Sequence, residues 1–321
     1  MLLGLSRLLF QGLVYNPVVM NKNTKVIVTG GSGFIGSHVI DLLILKGFDV
    51  HVIDIEDPTE ERVNSKAIYH KKDIRNLKEI IPLFKNTKFV FHLAALPRVP
   101  FSIEYPIETN ETNLTGTLNV LKAAVDSGVK RVIYSASSSA YGDQDQMPLK
   151  EEMQAKPKSP YGVQKYVGEL YCKVFNEVYG LETVSLRYFN VYGPRLDPEG
   201  DHALVIGKFL RQKKEGKPIT ITGDGEQTRD FTHVKDVARA NILAMESPKV
   251  GKGEVLNIGD GNGKSINELA KIIGGPVDYV PARLEPKYTE ADNSKSRDLI
   301  GWQPEVSFED GVNELRNLFG V

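Results

Sequence analysis

The stretch "VIVTGGSGFIG", Val26 to Gly36, decides the fold class. Three apolar β-branched residues are followed by Gly30, Gly33 and Gly36 at three-residue spacing, and the chain then takes helical spacing. Glycines in a strand-to-helix turn let the backbone turn tightly and approach a pyrophosphate, whose charge the helix N-terminus stabilises. Glycines at this spacing also occur in ordinary turns, so the surrounding sequence has to support the interpretation.

The next strand-like segment supports a dinucleotide site. The run "VHVID" ends in Asp54, eighteen residues beyond Gly36. An acidic side chain at that place can accept hydrogen bonds from both hydroxyls of an adenosine ribose and would repel a 2′-phosphate. The pattern therefore predicts NAD rather than NADP as the cofactor.

Outward from this stretch, β-branched runs alternate with segments that have helical spacing. The expected strands are Val26–Val28, Val50–Ile53, Phe89–Leu93, Arg131–Tyr134 and Thr183–Leu186. The expected helices are Gly36–Lys46, Thr112–Ser127 and Tyr161–Tyr179. Such alternation is typical of βαβ units and predicts an α/β fold, a doubly wound parallel sheet of the Rossmann type.

The chain after Leu186 is less regular and rich in Gly, Pro and Asp, with helical segments expected at Val205–Glu215 and Ser265–Ile273. We expect a smaller C-terminal α/β substrate-binding lobe that caps the carboxyl edge of the sheet, where ligands bind in open α/β folds. The expected NAD-binding domain spans 21–189 and is rejoined by about 228–257. The substrate-binding lobe then comprises 190–227 and 258–321.

Composition restricts the function classes. The 321 residues carry 40 Lys and Arg against 41 Asp and Glu, a net charge of −1, which gives no whole-chain signature for binding nucleic acid or an anionic membrane. Cys172 is the single cysteine, so neither an intrachain disulfide nor a cysteine-rich metal site can form. We expect a cytoplasmic protein without a metal site.

Residues 1–20, "MLLGLSRLLFQGLVYNPVVM", form an apolar leader of uncertain status. A signal peptide or membrane anchor is one interpretation. Arg7, Gln11, Asn16 and Pro17 interrupt the stretch, however, and a span needs about 20 apolar residues. Because Met20 begins a second possible start, a mis-assigned start or an appended leader is favoured.

The segment "SPYGVQK" carries a candidate catalytic pair. Tyr161 and Lys165 are four residues apart on one face of an expected helix, so their side chains can converge. A tyrosine with its usual pKa of about 10 is a poor base at neutral pH, but a neighbouring ammonium, helped by the positive nicotinamide, favours the phenolate. We therefore expect a lowered Tyr161 pKa and a general base for an alcohol proton. A Tyr-x-x-x-Lys pattern alone is common by chance.

The segment "SASSSAYG", Ser135 to Gly142, follows the strand-like Val132–Tyr134 directly. A serine run is typical of a flexible linker. This one begins where a strand ends and is followed by Pro160-Tyr161 rather than by more low-complexity sequence. It therefore lies at the carboxyl edge of the expected sheet, where a site is expected.

Together these motifs resemble the extended branch of the short-chain dehydrogenase/reductase superfamily, the NAD-dependent epimerase/dehydratase proteins that act on nucleotide sugars. The resemblance covers roughly Lys25 to Gly311 and implies that Ser137, Tyr161 and Lys165 are catalytic. Ser138 and Ser139 are second candidates for the role of Ser137, with Ser139 otherwise touching substrate and Ser138 packing. The resemblance also implies that the cofactor is bound by Gly30, Gly33, Phe34, Ile35, Gly36, Asp54, Asp73, Ile74, Leu93, Ala94, Ala95, Asn113, Tyr161, Lys165 and Phe189.

The substrate side is carried by "LRYFNVYGPR", "GDGEQTRDFTHVKDVA", "PARLEP" and "ADNSKS". Here the resemblance implies that Asn190 meets the sugar diphosphate, that Arg229 and Arg283 clamp it, and that Asp292 holds the ribose. Arginine suits a diphosphate because its forked donors bind two oxygens at once. A single arginine is also an ordinary surface charge. The chain is one residue shorter than the family pattern between Arg283 and Thr289. The assignment of Arg283 to the diphosphate is therefore less secure than that of Arg229.

The serine run also indicates the reaction. Related 4,6-dehydratases carry an Asp-Glu pair where this chain has Ser138-Ser139, and decarboxylating relatives carry a glutamate in the same stretch. The resemblance thus favours a nucleotide-sugar 4-epimerase, on UDP-hexoses such as UDP-Glc/UDP-Gal or UDP-GlcNAc/UDP-GalNAc, through a transient 4-keto sugar. The alternatives are a UDP-glucuronate 4-epimerase, a dehydratase, a net dehydrogenase or reductase, and a non-catalytic NAD-binding scaffold.

Two finer expectations follow from the resemblance. Thr289 stands where strict glucose/galactose epimerases hold a tyrosine, so a 2-acetamido sugar would fit; Thr289 could equally be an incidental surface residue. The helix faces Leu114–Val125 and Val163–Val178 resemble those that form a four-helix dimer interface, which predicts a homodimer.

Overall fold

The computed structural model describes residues 23–197, 205–282 and 287–321. Its strands are β1 Lys25–Thr29, β2 Asp49–Asp54, β3 Ile68–Lys71, β4 Phe89–His92, β5 Arg131–Ser137, β6 Glu182–Tyr188, β7 Ile219–Thr222, β8 Thr228–Arg229, β9 Lys252–Ile258, β10 Lys264–Ser265 and β11 Val277–Val280. Seven of them form one sheet in the order β3-β2-β1-β4-β5-β6-β9, with every neighbouring pair parallel. The predicted doubly wound α/β fold is confirmed.

The α-helices are α1 Phe34–Leu45, α2 Leu77–Phe84, α3 Val99–Glu104, α4 Pro106–Asn110, α5 Gly116–Asp126, α6 Pro160–Tyr179, α7 Val205–Lys214, α8 Val234–Glu246, α9 Ile266–Ile273, α10 Ser294–Ile300 and α11 Phe308–Phe319. Local sequence sets the ends of α6: the Ser159 hydroxyl accepts from Gly162 N, Pro160 is the first helical residue, and Gly180 ends the helix at a φ of 69°. The expected helix 112–127 instead begins with a π-helical turn, Glu111–Thr115.

Helices cover both faces of the sheet. Within β1, Val26 and Val28 pack into a core cluster with residues of α1 and α8, whereas Ile27 packs into a second cluster with residues of α2, α5 and α6. Strands buried on both faces read as continuous apolar runs, which is why the β-branched runs were visible in the sequence.

The rest of the chain forms smaller elements beyond the carboxyl edge of the sheet. Strands β7 and β11 pair in parallel, β8 and β10 pair antiparallel, and α7, α9 and α11 share a third core cluster. Strand β9, from within 228–257, is part of the central sheet. The domain division predicted from the sequence stays a prediction. The leader, residues 1–20, and Arg283 lie outside the described residues.

None of the helices within these described ranges is long and apolar enough to span a bilayer.

Candidate active site

The glycine turn between β1 and α1 is packed closely against neighbouring backbone. Gly30 has a φ of +72°, and a Cβ there would lie 2.5 Å from Ala94 N. A Cβ on Gly36 would overlap the Gly30 carbonyl oxygen. The first turn of α1 has no acidic residue and its N-cap, Gly33, makes no side-chain cap, so the helix dipole favours an anion there. This backbone cradle fits the pyrophosphate of a dinucleotide.

Asp54 lies at the end of β2, beside the same turn. Its Oδ2 accepts from Ser32 N at 3.0 Å and its Oδ1 from Glu56 N at 3.3 Å, which fixes the carboxylate. Burial raises the Asp54 pKa, while hydrogen bonds from Glu56 and Ser32 lower it. The carboxylate is therefore held beside the glycine turn, and its role toward an adenosine ribose stays a prediction.

The other expected cofactor residues surround the carboxyl ends of β3 and β4. Asp73 Oδ1 accepts from Arg75 N at 2.8 Å, and Asp73 Oδ2 lies 2.6 Å from Arg75 Nη2, while Ile74 is buried. The half-buried residues Leu93–Ala95 follow β4 directly. Asn113 holds this segment, since its Oδ1 accepts from Leu96 N at 2.7 Å and its Nδ2 donates to Leu96 O at 3.0 Å. The π-helical turn thus places the Asn113 side chain against the segment that follows β4.

Ser137, Tyr161 and Lys165 converge at the carboxyl end of β5. Lys165 Nζ lies 5.9 Å from the centroid of the Tyr161 ring and donates to Ser135 O at 2.8 Å. The Tyr161 hydroxyl is hydrogen-bonded to the side chain of Ser137. All three catalytic candidates are at least nine-tenths buried, and they come from one strand end and one helix.

The groups of the protein itself do not lower the Tyr161 pKa, and the lowering expected with a nicotinamide cation beside it stays a prediction. Burial raises the pKa of Tyr161 to about 12, and the hydrogen bond with Ser137 only partly offsets that rise. Burial also lowers the pKa of Lys165 to about 8, against the raising effects of Cys172 and Glu169. Desolvation outweighs the neighbouring groups because it disfavours the charged form of each residue.

The remaining serines of the run have separate surroundings. Ser137 Oγ donates to Ser139 Oγ at 3.1 Å and accepts from Ser139 N at 3.1 Å. Ser138 and Ser139 are half-buried at the start of a short 3₁₀ turn that ends at Ala140. The run is therefore an ordered strand end, not a linker.

The expected substrate residues come from separate segments. Phe189 is fully buried, and Asn190 follows it with a φ of 24°, its Nδ2 donating to Asp230 O at 3.1 Å. Arg229, half-buried in β8, donates from Nη1 to Thr228 O at 2.8 Å.

Thr289 and Asp292 lie on the segment before α10. The Thr289 hydroxyl accepts from Asp230 N at 3.3 Å and donates to Thr228 O at 3.3 Å, so it borders the strand of Arg229. Asp292 Oδ1 accepts from Ser294 N at 2.9 Å, and its Oδ2 lies 3.9 Å from Lys150 Nζ. The structure thus gives Asp292 a local role at the start of α10.

Two residues at the site were missed by the sequence reasoning. Ser102 Oγ accepts from Tyr161 N at 3.1 Å and thereby fixes the first turn of α6. His92, fully buried, bonds through Nδ1 to Thr29 Oγ1 at 2.7 Å and through Nε2 to Thr117 Oγ1 at 2.9 Å. No motif marks Ser102, whereas His92 precedes the cofactor segment directly in "FHLAAL".

The pattern that defines the NAD dependent epimerase/dehydratase family matches residues 26–259. A putative UDP-glucose 4-epimerase of Methanocaldococcus jannaschii is 38% identical over 302 residues, covering 91% of this chain and 97% of that protein.

Two solved structures are similar over almost the whole chain. The UDP-glucose 4-epimerase of Thermotoga maritima with UDP-glucose has a TM-score of 0.86 at 38% identity, covering 92% of this chain and 98% of that one. The UDP-N-acetylglucosamine 4-epimerase of Methanobrevibacter ruminantium M1, in complex with UDP-N-acetylmuramic acid, has a TM-score of 0.88 at 40% identity, covering 93% and 98%.

Proposed function

Because the chain belongs to the NAD dependent epimerase/dehydratase family, we propose that it is an NAD-dependent nucleotide-sugar 4-epimerase that acts on UDP-hexoses. One observation carries the proposal: Ser137, Tyr161 and Lys165 converge in a buried site at the carboxyl end of β5, and no carboxylate stands at 138–139 to drive an elimination. Oxidation and reduction at one carbon need only a proton carrier and a redox cofactor.

The residues of the chain divide the chemistry between them. Bound NAD supplies the reversible oxidation of the sugar at C4. Tyr161 takes the proton of the 4-hydroxyl, Ser137 hydrogen-bonds that hydroxyl, and the Lys165 ammonium stabilises the phenolate. The 4-keto sugar rotates in the site so that the opposite face of C4 is reduced. Tyr161 then returns the proton to the 4-oxygen.

The test is turnover without added cofactor. The purified protein is incubated with a panel of UDP-, dTDP- and GDP-sugars, and the products are separated. Epimer formation from a UDP-hexose in the absence of added NAD supports the proposal, because an epimerase regenerates its cofactor in each cycle. Formation of a dehydrated or net oxidised product, or no conversion of any sugar, contradicts it.

Residue size at position 289 supports a wider sugar range. We propose that Thr289, which is held against β8, leaves room for a 2-acetamido group, so that UDP-GlcNAc and UDP-GalNAc are converted at least as well as UDP-Glc and UDP-Gal. Thr289→Tyr should suppress the acetylated pair and spare the other pair, which serves as the internal control. Equal slowing of both pairs, or a wild type inactive on UDP-GlcNAc, overturns this role.

An exposed apolar stripe on α6 supports a homodimer. Val163, Leu170, Val174 and Val178 are 44–64% exposed, and they recur along one helix at spacings of 7, 4 and 4 residues. Contiguous exposed apolar surface of this kind marks an association site. We propose that two copies pair through α5 and α6.

Light scattering at micromolar concentration tests the dimer. Leu170→Arg should give a monomer, because it would bury two like charges across a two-fold axis. Leu318→Arg, on an equally apolar but isolated residue that is 62% exposed on α11, should leave the mass unchanged. A monomeric wild type, or dimers of the Leu170→Arg protein, would overturn the proposed interface.

A further inference from the structure

A small apolar cluster joins the catalytic strand end to the substrate segment. Tyr141, Leu149, Phe189 and Ala291 pack together, with Met153 against them. They come from the end of the serine stretch, from the connection before α6, from the end of β6 and from the segment before α10. The cluster is thus a contact point between the residues that do chemistry and the residues that recognise substrate.

Tyr141 supplies the polar contact of this cluster. Its side chain is fully buried, and its hydroxyl donates to Asn257 Oδ1 at 2.6 Å. Burial raises the pKa of Tyr141, so the hydroxyl keeps its proton and remains a donor. Its ring lies 6.1 Å from the ring of Phe189, and the Arg187 guanidinium carbon lies 4.4 Å from its centroid.

Asn257 links Tyr141 to the segment before α10, residues 289–292. Its Nδ2 donates to Leu149 O at 2.8 Å and to Asp292 O at 3.1 Å. Because both of these partners are acceptors, the amide has one orientation, with Oδ1 facing the Tyr141 hydroxyl. Asn257 is fully buried in β9, so the sheet itself fixes this orientation.

The segment 289–292 is held from the opposite side as well. Asp230 Oδ2 accepts from Ala291 N at 2.9 Å, and Leu149 brackets the segment, donating from N to Glu290 O at 2.7 Å and accepting from Asp292 N at 2.9 Å. Thr289 stands at the start of this segment, against β8 and Arg229. Its position relative to the catalytic residues therefore depends on a few buried hydrogen bonds.

We propose that Tyr141 and Asn257 form a positioning pair that holds the segment 289–292 against the catalytic half and thereby sets the affinity for the nucleotide sugar. The inference rests on the proposed function of the site. Without the Tyr141 hydroxyl, Asn257 Oδ1 is left buried and unpaired, and the amide regains a partner only by rotating away from Leu149 O and Asp292 O. In part of the molecules the segment 289–292 then leaves its binding position. The apparent affinity for the nucleotide sugar falls in proportion to the fraction of molecules that keep the segment in place.

Tyr141→Phe tests the pair, because it removes one oxygen and keeps the packed ring. We expect KM for the UDP-sugar and Kd for UDP to rise about tenfold, the effect of one buried hydrogen bond. We expect kcat to stay within about twofold, because neither Tyr161 nor Lys165 contacts the Tyr141–Asn257 pair in the described residues. An Asn257→Ala variant, alone and combined with Tyr141→Phe, should show that the two losses are not additive.

Tyr188→Phe is a matched control. Tyr188 is also a buried tyrosine whose hydroxyl bonds to an asparagine, but its two partners, Asn241 Oδ1 on α8 and Ser135 Oγ on β5, both at 3.0 Å, lie outside the segment 289–292. Both variants should lose similar thermal stability, whereas KM and the UDP Kd should change only in Tyr141→Phe.

The outcomes separate the inference from the proposed function. A wild type that neither converts a UDP-sugar nor binds UDP overturns both. A working wild type with unchanged KM and Kd in Tyr141→Phe, or with equal changes in Tyr188→Phe, overturns the positioning pair alone. A fall in kcat with unchanged KM also overturns it, because the pair would then act on the chemistry.

Discussion

The cofactor side and the substrate side of the site are built in different ways. The glycine turn and Asp54 lie within one β-α-β unit, and the Asp54 carboxylate accepts from Ser32 N of that turn. Asn190, Arg229 and Thr289 come from three separate segments. The cofactor side is therefore positioned by one β-α-β unit, whereas the substrate side is positioned by buried hydrogen bonds between segments that are distant in sequence.

This comparison assigns different kinetic consequences to the two sides. The residues proposed for chemistry lie on β5 and α6, whereas Arg229 and Thr289 lie beyond the carboxyl edge of the sheet. Changes at the first group should act on kcat or on the cofactor, and changes at the second group on KM.

The largest effect is expected for Tyr161→Phe. Loss of a general base costs about 10²- to 10⁴-fold in kcat, and UDP affinity should be unchanged because the ring stays in place. Steady-state rates and calorimetric titration with UDP measure the two quantities, with Tyr171→Phe on the same helix as the control. More than about a tenth of wild-type activity would mean that another group takes the proton.

Cofactor selectivity should show the next largest effect. We expect NAD to be preferred over NADP by about 100-fold, because the fixed Asp54 carboxylate repels a 2′-phosphate. Direct binding titrations on cofactor-free protein measure the ratio, which Asp54→Asn should narrow. Asp57, three residues after Asp54, is an exposed carboxylate paired with Lys71. Asp57→Asn should leave the NAD to NADP affinity ratio unchanged. Equal affinity of the wild type for both cofactors would remove Asp54 from this role.

On the substrate side, Arg229→Ala should raise KM for the UDP-sugar about 30-fold through the loss of charge-assisted hydrogen bonds to a diphosphate. The value of kcat should change little. Lys235→Ala removes a cation that pairs with Glu314 on the surface and serves as the control for net charge. If Arg229→Ala lowers kcat and leaves KM unchanged, the division of the two sides fails at this residue.

The pH dependence should be the smallest effect. Burial lowers the pKa of Lys165 to about 8 from its ordinary 10.5, so the ammonium is lost as pH rises through that value. Because the charged form supports the phenolate, kcat should fall with rising pH, by about tenfold for each unit well above 8. Measurement of kcat over a pH series tests this decline. A kcat that stays constant from pH 8 to 10 would contradict this role for Lys165.

The glycine turn shows why part of the site could be predicted. Gly30 needs a positive φ and Gly36 lies against backbone, so these positions restrict the residue type and leave a pattern in the sequence. The four-residue spacing of Tyr161 and Lys165 is equally local, because a helix alone brings the two side chains to one face. The alternation of apolar runs likewise fixed the parallel α/β fold.

The same local reasoning does not extend to charge. The sequence places an ammonium beside Tyr161, but it does not show that both groups are buried, and burial raises the Tyr161 pKa instead of lowering it. Desolvation depends on everything packed around a group, much of which comes from distant parts of the chain.

The strands, the cofactor turn and the catalytic pair could be predicted from the sequence, because each depends on residues within one strand, one turn or one turn of helix. Only the tertiary structure decided how Thr289 and Arg229 are placed, since Asp230 and Asn257 hold their segments through bonds that span 30 to 108 positions of the chain. Buried polar anchors of this kind have no periodicity, because a single hydrogen bond constrains one residue and not its neighbours. Their positions become visible only when the chain is folded.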